Sequence, residues 1–421
     1  MTQTQESENQ FVRFARFLRS PLFPIFMIMF VDVLGVGMTI PVLPLFAQNQ
    51  FGASAFQITL ITSAYFLAQF IASPQLGRMS DKFGRRPVLL VSQSGTLAAF
   101  LISGAAVALP FLYLARIIDG FTGGNISVAQ AYLSDITDEK NRAQGIGLVN
   151  AAFSTGFLFG PAFGAFMAAQ FGPRTAYFAA ACFSITTILL TYFLLPESLT
   201  PERRATMKPK EGAKKNSSLE MLRLPGVAIL MMVAFVGQLG FFAFQSVFVL
   251  WSEKVMFVSY NAKFVQQAVG FILTYVGVVG IITQTFLVKP IVSRFGERMM
   301  VAGGLLTRSL AFAIMALSPL IPLVIVTVPL ISFGNGLLMP GLIALLTYLV
   351  PPGERGYAIG LAESVQGLGR ISGPLVAGFL FDRVNPSAPM GFAAIVGVLG
   401  VIVSLSLWRI TKKRAPDFGG D

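Results

Sequence analysis

Twelve apolar stretches constrain this chain more than any other of its features. They run over 22–47, 56–77, 88–108, 111–134, 143–169, 174–195, 225–251, 264–288, 299–317, 320–350, 356–380 and 388–408. A helix needs about 20 apolar residues to cross ~30 Å of hydrocarbon, and in lipid its backbone must satisfy its own hydrogen bonds, so each stretch is expected to be a membrane-spanning helix. Only 12% of residues are charged and 54% are apolar, about half the charge that covers a soluble domain. The 41 Gly and 24 Pro, costly in water, are tolerated where membrane helices pack on one another.

The charges carry the topology. Of the 31 Lys and Arg, 24 lie at the N-terminus, at the C-terminus and in the even-numbered loops, while only Arg174, Lys254, Lys263 and Arg383 lie in the opposite loops. By the positive-inside rule both termini and the central linker are expected to be cytoplasmic, in a multi-pass membrane protein. The net charge of +12 then belongs to topology and to anionic lipid, and nucleic acid is excluded as a partner. Residues 1–21 are polar and basic and the first apolar run is too long for a signal-peptide core, so no cleavable signal is expected. Phe11, Phe14, Phe17 and Leu18 oppose Arg13, Arg16 and Arg19 on a helical wheel, consistent with an interfacial helix or a basic arm.

Self-similarity divides the chain. A shift of 213 residues sets Gly147, Gly156, Gly160 and Pro161 on Gly360, Gly369, Gly373 and Pro374, and Arg142 on Arg355; a shift of 212 sets K-F-G-R-R at 82–86 on R-F-G-E-R at 294–298. The expected fold is therefore an all-α polytopic membrane protein of twelve transmembrane helices in two pseudo-symmetric six-helix bundles. It comprises a cytoplasmic arm 1–21, a bundle 22–195, a linker 196–224, a bundle 225–409 and a tail 410–421. Parallel repeats of this kind build transporters, with the substrate expected at the midplane. With no His, one Cys (Cys182), and no H-E-x-x-H, G-x-S-x-G or P-loop run, neither enzyme chemistry nor ATP is expected, and no cofactor is required.

The loop G-R-M-S-D-K-F-G-R-R-P at 77–87, R-I-I-D-G-F-T-G-G at 116–124 and the G-x8-G-x3-G-P-x2-G run from Gly147 to Gly164 resemble signatures of the major facilitator superfamily. Helix one, D-V-L-G-V-G-M-T-I-P-V-L-P at 32–44, and A-Y-L-S-D-I-T at 131–137 look most like the tetracycline-exporter branch of its drug:proton antiporters. The resemblance implies alternating access, H+ as coupling ion, export of a drug or other amphipathic small molecule, and the cell inner membrane of a bacterium as the setting. A transporter of an endogenous metabolite, sugar or lipid is the alternative. Ala99 stands where those exporters carry a carboxylate, and their helix-eight histidine has no counterpart here, so the branch is implied rather than tetracycline itself.

Within that frame the candidate residues are few. Asp32 lies mid-membrane, where a carboxylate is rarely retained without a partner or a proton to bind, and is expected to carry the coupled proton. Arg116 and Asp119, at i and i+3, share a face of helix four and are expected to pair; Glu363 and Arg370, seven apart, share a face of helix eleven with Gln366 between them, and all four charged residues are expected to join Asp32 in proton coupling. Asp81 is expected to meet a helix N-terminus while Arg85 and Arg86 reach Asp135. By resemblance Gly77, Asp81, Gly84, Arg85, Arg86 and Asp135 form a cytoplasmic gate, with Arg142 placed beside them. Gly147, Gly156, Gly160 and Gly164 admit close helix contact and Pro161 bends the span, a pattern that the resemblance ties to antiport. Phe66, Phe153, Phe157 and Phe242, with Gln69 and Gln245, are expected to line an apolar cavity with polar handles. The expected partners are a small-molecule substrate and the bilayer, with the protein a monomer. Arg308, in the ninth span, receives no role.

Overall fold

The computed structural model describes residues 22–123, 125–137, 139–199, 218–224, 226–318, 320–351 and 354–407. The N-terminal arm, most of the linker and the C-terminal tail lie outside them, as does the side chain of Arg142.

Among these residues the chain is helical, with no strand. The first predicted span is two helices, α1 (Leu22–Thr39) and α2 (Val42–Phe51), parted where Pro41 and Pro44 withhold backbone donors. Then come α3 (Ala55–Phe83), α4 (Arg85–Gly104), α5 (Leu109–Thr122), α6 (Asn125–Ile136), α7 (Glu139–Phe171) and α8 (Pro173–Leu194). The fourth predicted span is thus divided as well, at Gly123. After the short α9 (Ser218–Arg223), the second half runs α10 (Val227–Trp251), α11 (Ala262–Ile282), α12 (Val288–Leu317), α13 (Ile321–Leu349), α14 (Arg355–Arg383) and α15 (Ala388–Leu405). Wide π-helical turns at Ser252–Met256 and Thr283–Leu287 follow α10 and join α11 to α12.

Nine helical stretches among the described residues are long and apolar enough to cross a membrane. One of them, Ala262–Leu317, is 56 residues long and changes direction at Gly296 (φ 75°, ψ 169°). Gly84, its mate in the repeat, parts α3 from α4 with φ 108° and ψ 159°. Such angles are open almost exclusively to glycine, so both copies of the [KR]-F-G-x-R run encode one sharp turn between consecutive spans.

The described residues fall into two compact units, Met1–Ile40 with Ile71–Pro209, and Pro41–Phe70 with Lys210–Asp421. In the first, Ile25, Ile28 and Met29 of α1 pack with Val128, Tyr132 and Leu133 of α6 and Ala152 of α7. In the second, Leu230, Val233 and Ala234 of α10 pack with Leu338, Leu342 and Leu346 of α13 and Ala358 and Ala362 of α14. Lipid tails are as apolar as these side chains, so close fit rather than exclusion of water drives this packing.

Candidate functional site

The glycine motifs set the geometry of both units. A Cβ on Gly156 would stand 2.8 Å from the Phe30 carbonyl oxygen and 3.0 Å from the Leu34 nitrogen, and one on Gly160 2.8 Å from the Leu34 oxygen. One on Gly164 would run into the Met38 carbonyl. Pro161 lies inside α7 beside them. Gly369 and Gly373 of α14 meet α10 in the same manner, at 2.9 Å from the Phe235 oxygen and 2.7 Å from the Leu239 oxygen. Gly147 and its mate Gly360 face open space. The motif therefore contains three contact glycines on α7 and one that meets nothing.

Backbone contact between α7 and α1 fixes Asp32 and Thr39 two turns apart on α1, ~10 Å along its axis. Asp32 is buried. Arg116 of α5 donates through Nη2 to the Thr39 hydroxyl (2.7 Å) and through Nη1 to Asp119 Oδ2 (3.2 Å); the Thr96 hydroxyl of α4 donates to Asp119 Oδ1 (3.1 Å). The predicted pair is formed, and two threonines that no local spacing marks complete it. Asp119 is 4% exposed and Arg116 14%. Hydrogen bonds to both partners are what make a buried ion pair tolerable.

At the α3–α4 turn, Arg85 is the hub. Its Nη1 donates to Asp81 Oδ1 (2.6 Å) and to the Ser80 hydroxyl (2.6 Å), and its Nε donates to Asp135 Oδ2 (2.9 Å). The Ser198 hydroxyl also donates to Asp135 (3.0 Å). Two expectations are corrected here. Arg86 does not join Asp135; its Nη2 donates to the Tyr192 carbonyl and its guanidinium lies 5.3 Å from the Tyr192 ring centre. Among the described residues Asp81 meets no helix N-terminus; that of α4 is met by Glu197, with the backbone N–H groups of Arg85 and Arg86 donating to its two oxygens (2.9 and 3.2 Å). A Cβ on Gly77 would meet nothing, so that glycine answers no steric demand here. Arg142 lies on α7 with its side chain outside the described residues.

On α14, Arg370 Nη2 reaches Glu363 Oε2 at 3.4 Å on a partly exposed face. Gln366 is turned away from them, buried, accepting from Gln238 Nε2 of α10 (2.9 Å). Arg308 is almost wholly buried in α12. It donates to the Gly237 carbonyl (2.5 Å) and to Asn335 Oδ1 (3.4 Å), and its guanidinium lies 5.3 Å from the Phe241 ring centre and 5.9 Å from that of Phe312.

Of the predicted cavity residues, Phe66 and Phe242 meet edge to face, centroids 4.9 Å apart, and Tyr65 and Phe241 extend the cluster. Gln69 donates to the Tyr65 hydroxyl (3.3 Å), and Gln245 lies half-buried on the α10 that carries Phe242. Phe153 and Phe157 stack on each other at 6.1 Å, but in the other unit.

Comparison with known proteins gives the family. A profile of the Major Facilitator Superfamily matches residues 25–263 and 255–420. Multidrug resistance protein 2 of Bacillus subtilis (strain 168) is 31% identical over 391 residues, covering 92% of this chain and 94% of that protein. The class C tetracycline resistance protein of Escherichia coli is 32% identical over 381 residues, covering 90% and 93%. Among solved structures, the human organic anion transporter MFSD10 superposes with a TM-score of 0.67 at 22% identity over 92% of this chain and 99% of its own. The nucleoside transporter NupG superposes with a TM-score of 0.73 at 15% identity over 93% and 99%. The chain belongs to the Major Facilitator Superfamily, as a multi-pass membrane transporter whose curated relatives include multidrug and tetracycline resistance proteins.

Proposed function

We propose that this transporter exports an amphipathic small molecule, such as a drug, in exchange for protons by alternating access. The observation that carries the reading is the pair of buried acids within the spans of the first unit. Asp32 of α1 and Asp119 of α5 are both buried, and Asp119 pairs with Arg116. An ionised carboxylate within a span is costly, and in this reading Asp32 takes up and releases the coupled proton. A protein whose two conformations bind that proton with different affinity converts a proton gradient into a population shift, and the substrate draws on the same shift. Relatives at 31–32% identity named for multidrug and tetracycline resistance support export as the direction and drugs as the class.

In this reading the basic loops and both termini face the cytoplasm of a bacterial cell, the Arg85–Asp81–Asp135 cluster lies at the cytoplasmic end, and the Phe66–Phe242 cluster offers aromatic surface to the substrate. A panel of amphipathic cations, neutral drugs, sugars and nucleosides, tested in inverted vesicles with and without an imposed pH gradient, is the direct test. Gradient-dependent accumulation of the amphipathic compounds is expected. Accumulation confined to sugars or nucleosides, or indifferent to the gradient, would overturn the assignment.

A further inference from the structure

The outer ends of the first two spans, Pro41–Phe70, cluster with the second half of the chain rather than with the rest of their own half. Three polar contacts and two close approaches account for it. The carboxylate of Asp382, at the end of α14, accepts from the first two backbone N–H groups of α3, those of Ala55 (3.2 Å) and Phe56 (2.8 Å). Two turns further along α3, the Ser63 hydroxyl donates to the Ile371 carbonyl (2.8 Å). Gln48 of α2 donates to Glu253 Oε2 (2.6 Å) in the turn after α10. A Cβ on Gly378 would run into Thr59, and one on Gly367 would stand 2.9 Å from the Phe70 ring.

The capping geometry is unusual in its reach. Helix N-termini are ordinarily capped by the residue just before them, and Ser54 does bond locally to Gln57. A carboxylate 326 residues away adds a charge against the positive end of the α3 dipole, from a different helix. A cleft of about 490 Å³ lined by Ser54, Phe56, Phe379, Asp382 and Arg383 leaves this carboxylate reachable from outside. Arg383 is the charged neighbour in that cleft, while Lys254 is turned toward the Phe381 ring.

We propose that Asp382 is a positioning residue of the transport cycle: the outer latch that holds the N-terminus of α3 on α14 and must release for the outer side to open. The inference rests on the alternating-access reading, but its test needs neither substrate nor proton gradient. In a Cys182→Ser background, two reporters are labelled with a membrane-impermeant maleimide. Ser63→Cys, buried under α14, is labelled from outside in right-side-out vesicles; Gly360→Cys, on the Glu363 face of α14, is labelled in inverted vesicles.

Loss of a charged cap costs about 1 kcal/mol, a fivefold change in population, so Asp382→Ala is expected to raise labelling at position 63 about fivefold and lower it at position 360. Asp382→Asn, which keeps an acceptor, should recover most of the difference. Gly378→Val, which wedges Thr59 away without touching the carboxylate, should reproduce the Ala phenotype and covers the case in which Asp382→Ala does not fold. Unchanged labelling at position 63, or a rise at both reporters, would overturn the latch, the latter marking general loosening. Absent gradient-driven transport alongside reciprocal labelling would instead refute the antiport reading and leave the latch standing.

Discussion

Arg308 stands in the ninth span with its charge answered by dipoles and rings rather than by an acid. Its donors go to the Gly237 carbonyl and the Asn335 side chain, Phe241 and Phe312 face the guanidinium, and Nε has no partner among the described residues. Room for it comes from glycine. A Cβ on Gly334 would stand 2.6 Å from Arg308 Cγ, and Gly304 meets the Gly334 carbonyl at 2.6 Å from its own Cβ position. Gly334→Ala should therefore overpack this slot and cost about 1–3 kcal/mol of stability. Combining it with Arg308→Ala should cost less than the sum of the two single changes, because the clash with Cγ is relieved while that of the same Cβ with the Gly304 carbonyl oxygen, at 2.5 Å, remains. Thermal unfolding of the four proteins in detergent measures the coupling, and strict additivity would sink this account of the slot.

Sequence spacing reveals pairs of this scale only when both partners lie on one helix. Arg116–Asp119 and Glu363–Arg370 were legible as i, i+3 and two-turn neighbours. Thr39, Thr96, Glu197 and Asp382 were not, since each acts on a partner tens to hundreds of residues away, and a short polar side chain in an apolar run carries no mark of direction. Gln366 shows the converse: a helical wheel sets it between Glu363 and Arg370, yet Gln238 of α10 offers the buried partner that takes it.

Helices that touch by backbone turn one glycine motif into unequal positions. Gly156 and Gly160 lie under 3 Å, as built Cβ atoms, from carbonyls of α1, while Gly147 and Gly360 touch nothing. Alanine at 156 or 160 should force α7 off α1 and cost about 1–3 kcal/mol each, with transport falling as Asp32 and Thr39 shift. Alanine at 147 or 360 should leave stability unchanged or raise it by up to about 1 kcal/mol through helix propensity. Melting temperatures separate the two pairs, and equal effects at all four would refute packing as the reason for the motif. Helix existence was legible throughout, from apolar length alone. The breaks after Thr39 and at Gly123, and the wide turn into α12, were not, because a run of apolar residues keeps its hydropathy whether the helix continues or bends.

Across the whole molecule the repeat is retained in backbone and lost in charge. Gly156 faces Phe30 and Leu34 as Gly369 faces Phe235 and Leu239, which puts Asp32 of α1 in register with Gly237 of α10. The first half has an acid at that place; the second has a glycine whose carbonyl receives Arg308. One half thus places a carboxylate in its first span, and the other brings a guanidinium to the same register. The proposed coupling therefore falls to the first half, with Asp32 as the residue to test.

The most direct measurement compares wild type with Asp32→Asn in inverted vesicles under two regimes. With an imposed pH gradient, substrate uptake by the variant should fall by at least about tenfold, the effect of 1.4 kcal/mol of lost coupling. With substrate on both sides and no gradient, exchange should persist, since alternation and binding remain. Gradient-driven uptake by Asp32→Asn at the wild-type rate would contradict the assignment of the coupled proton to this carboxylate.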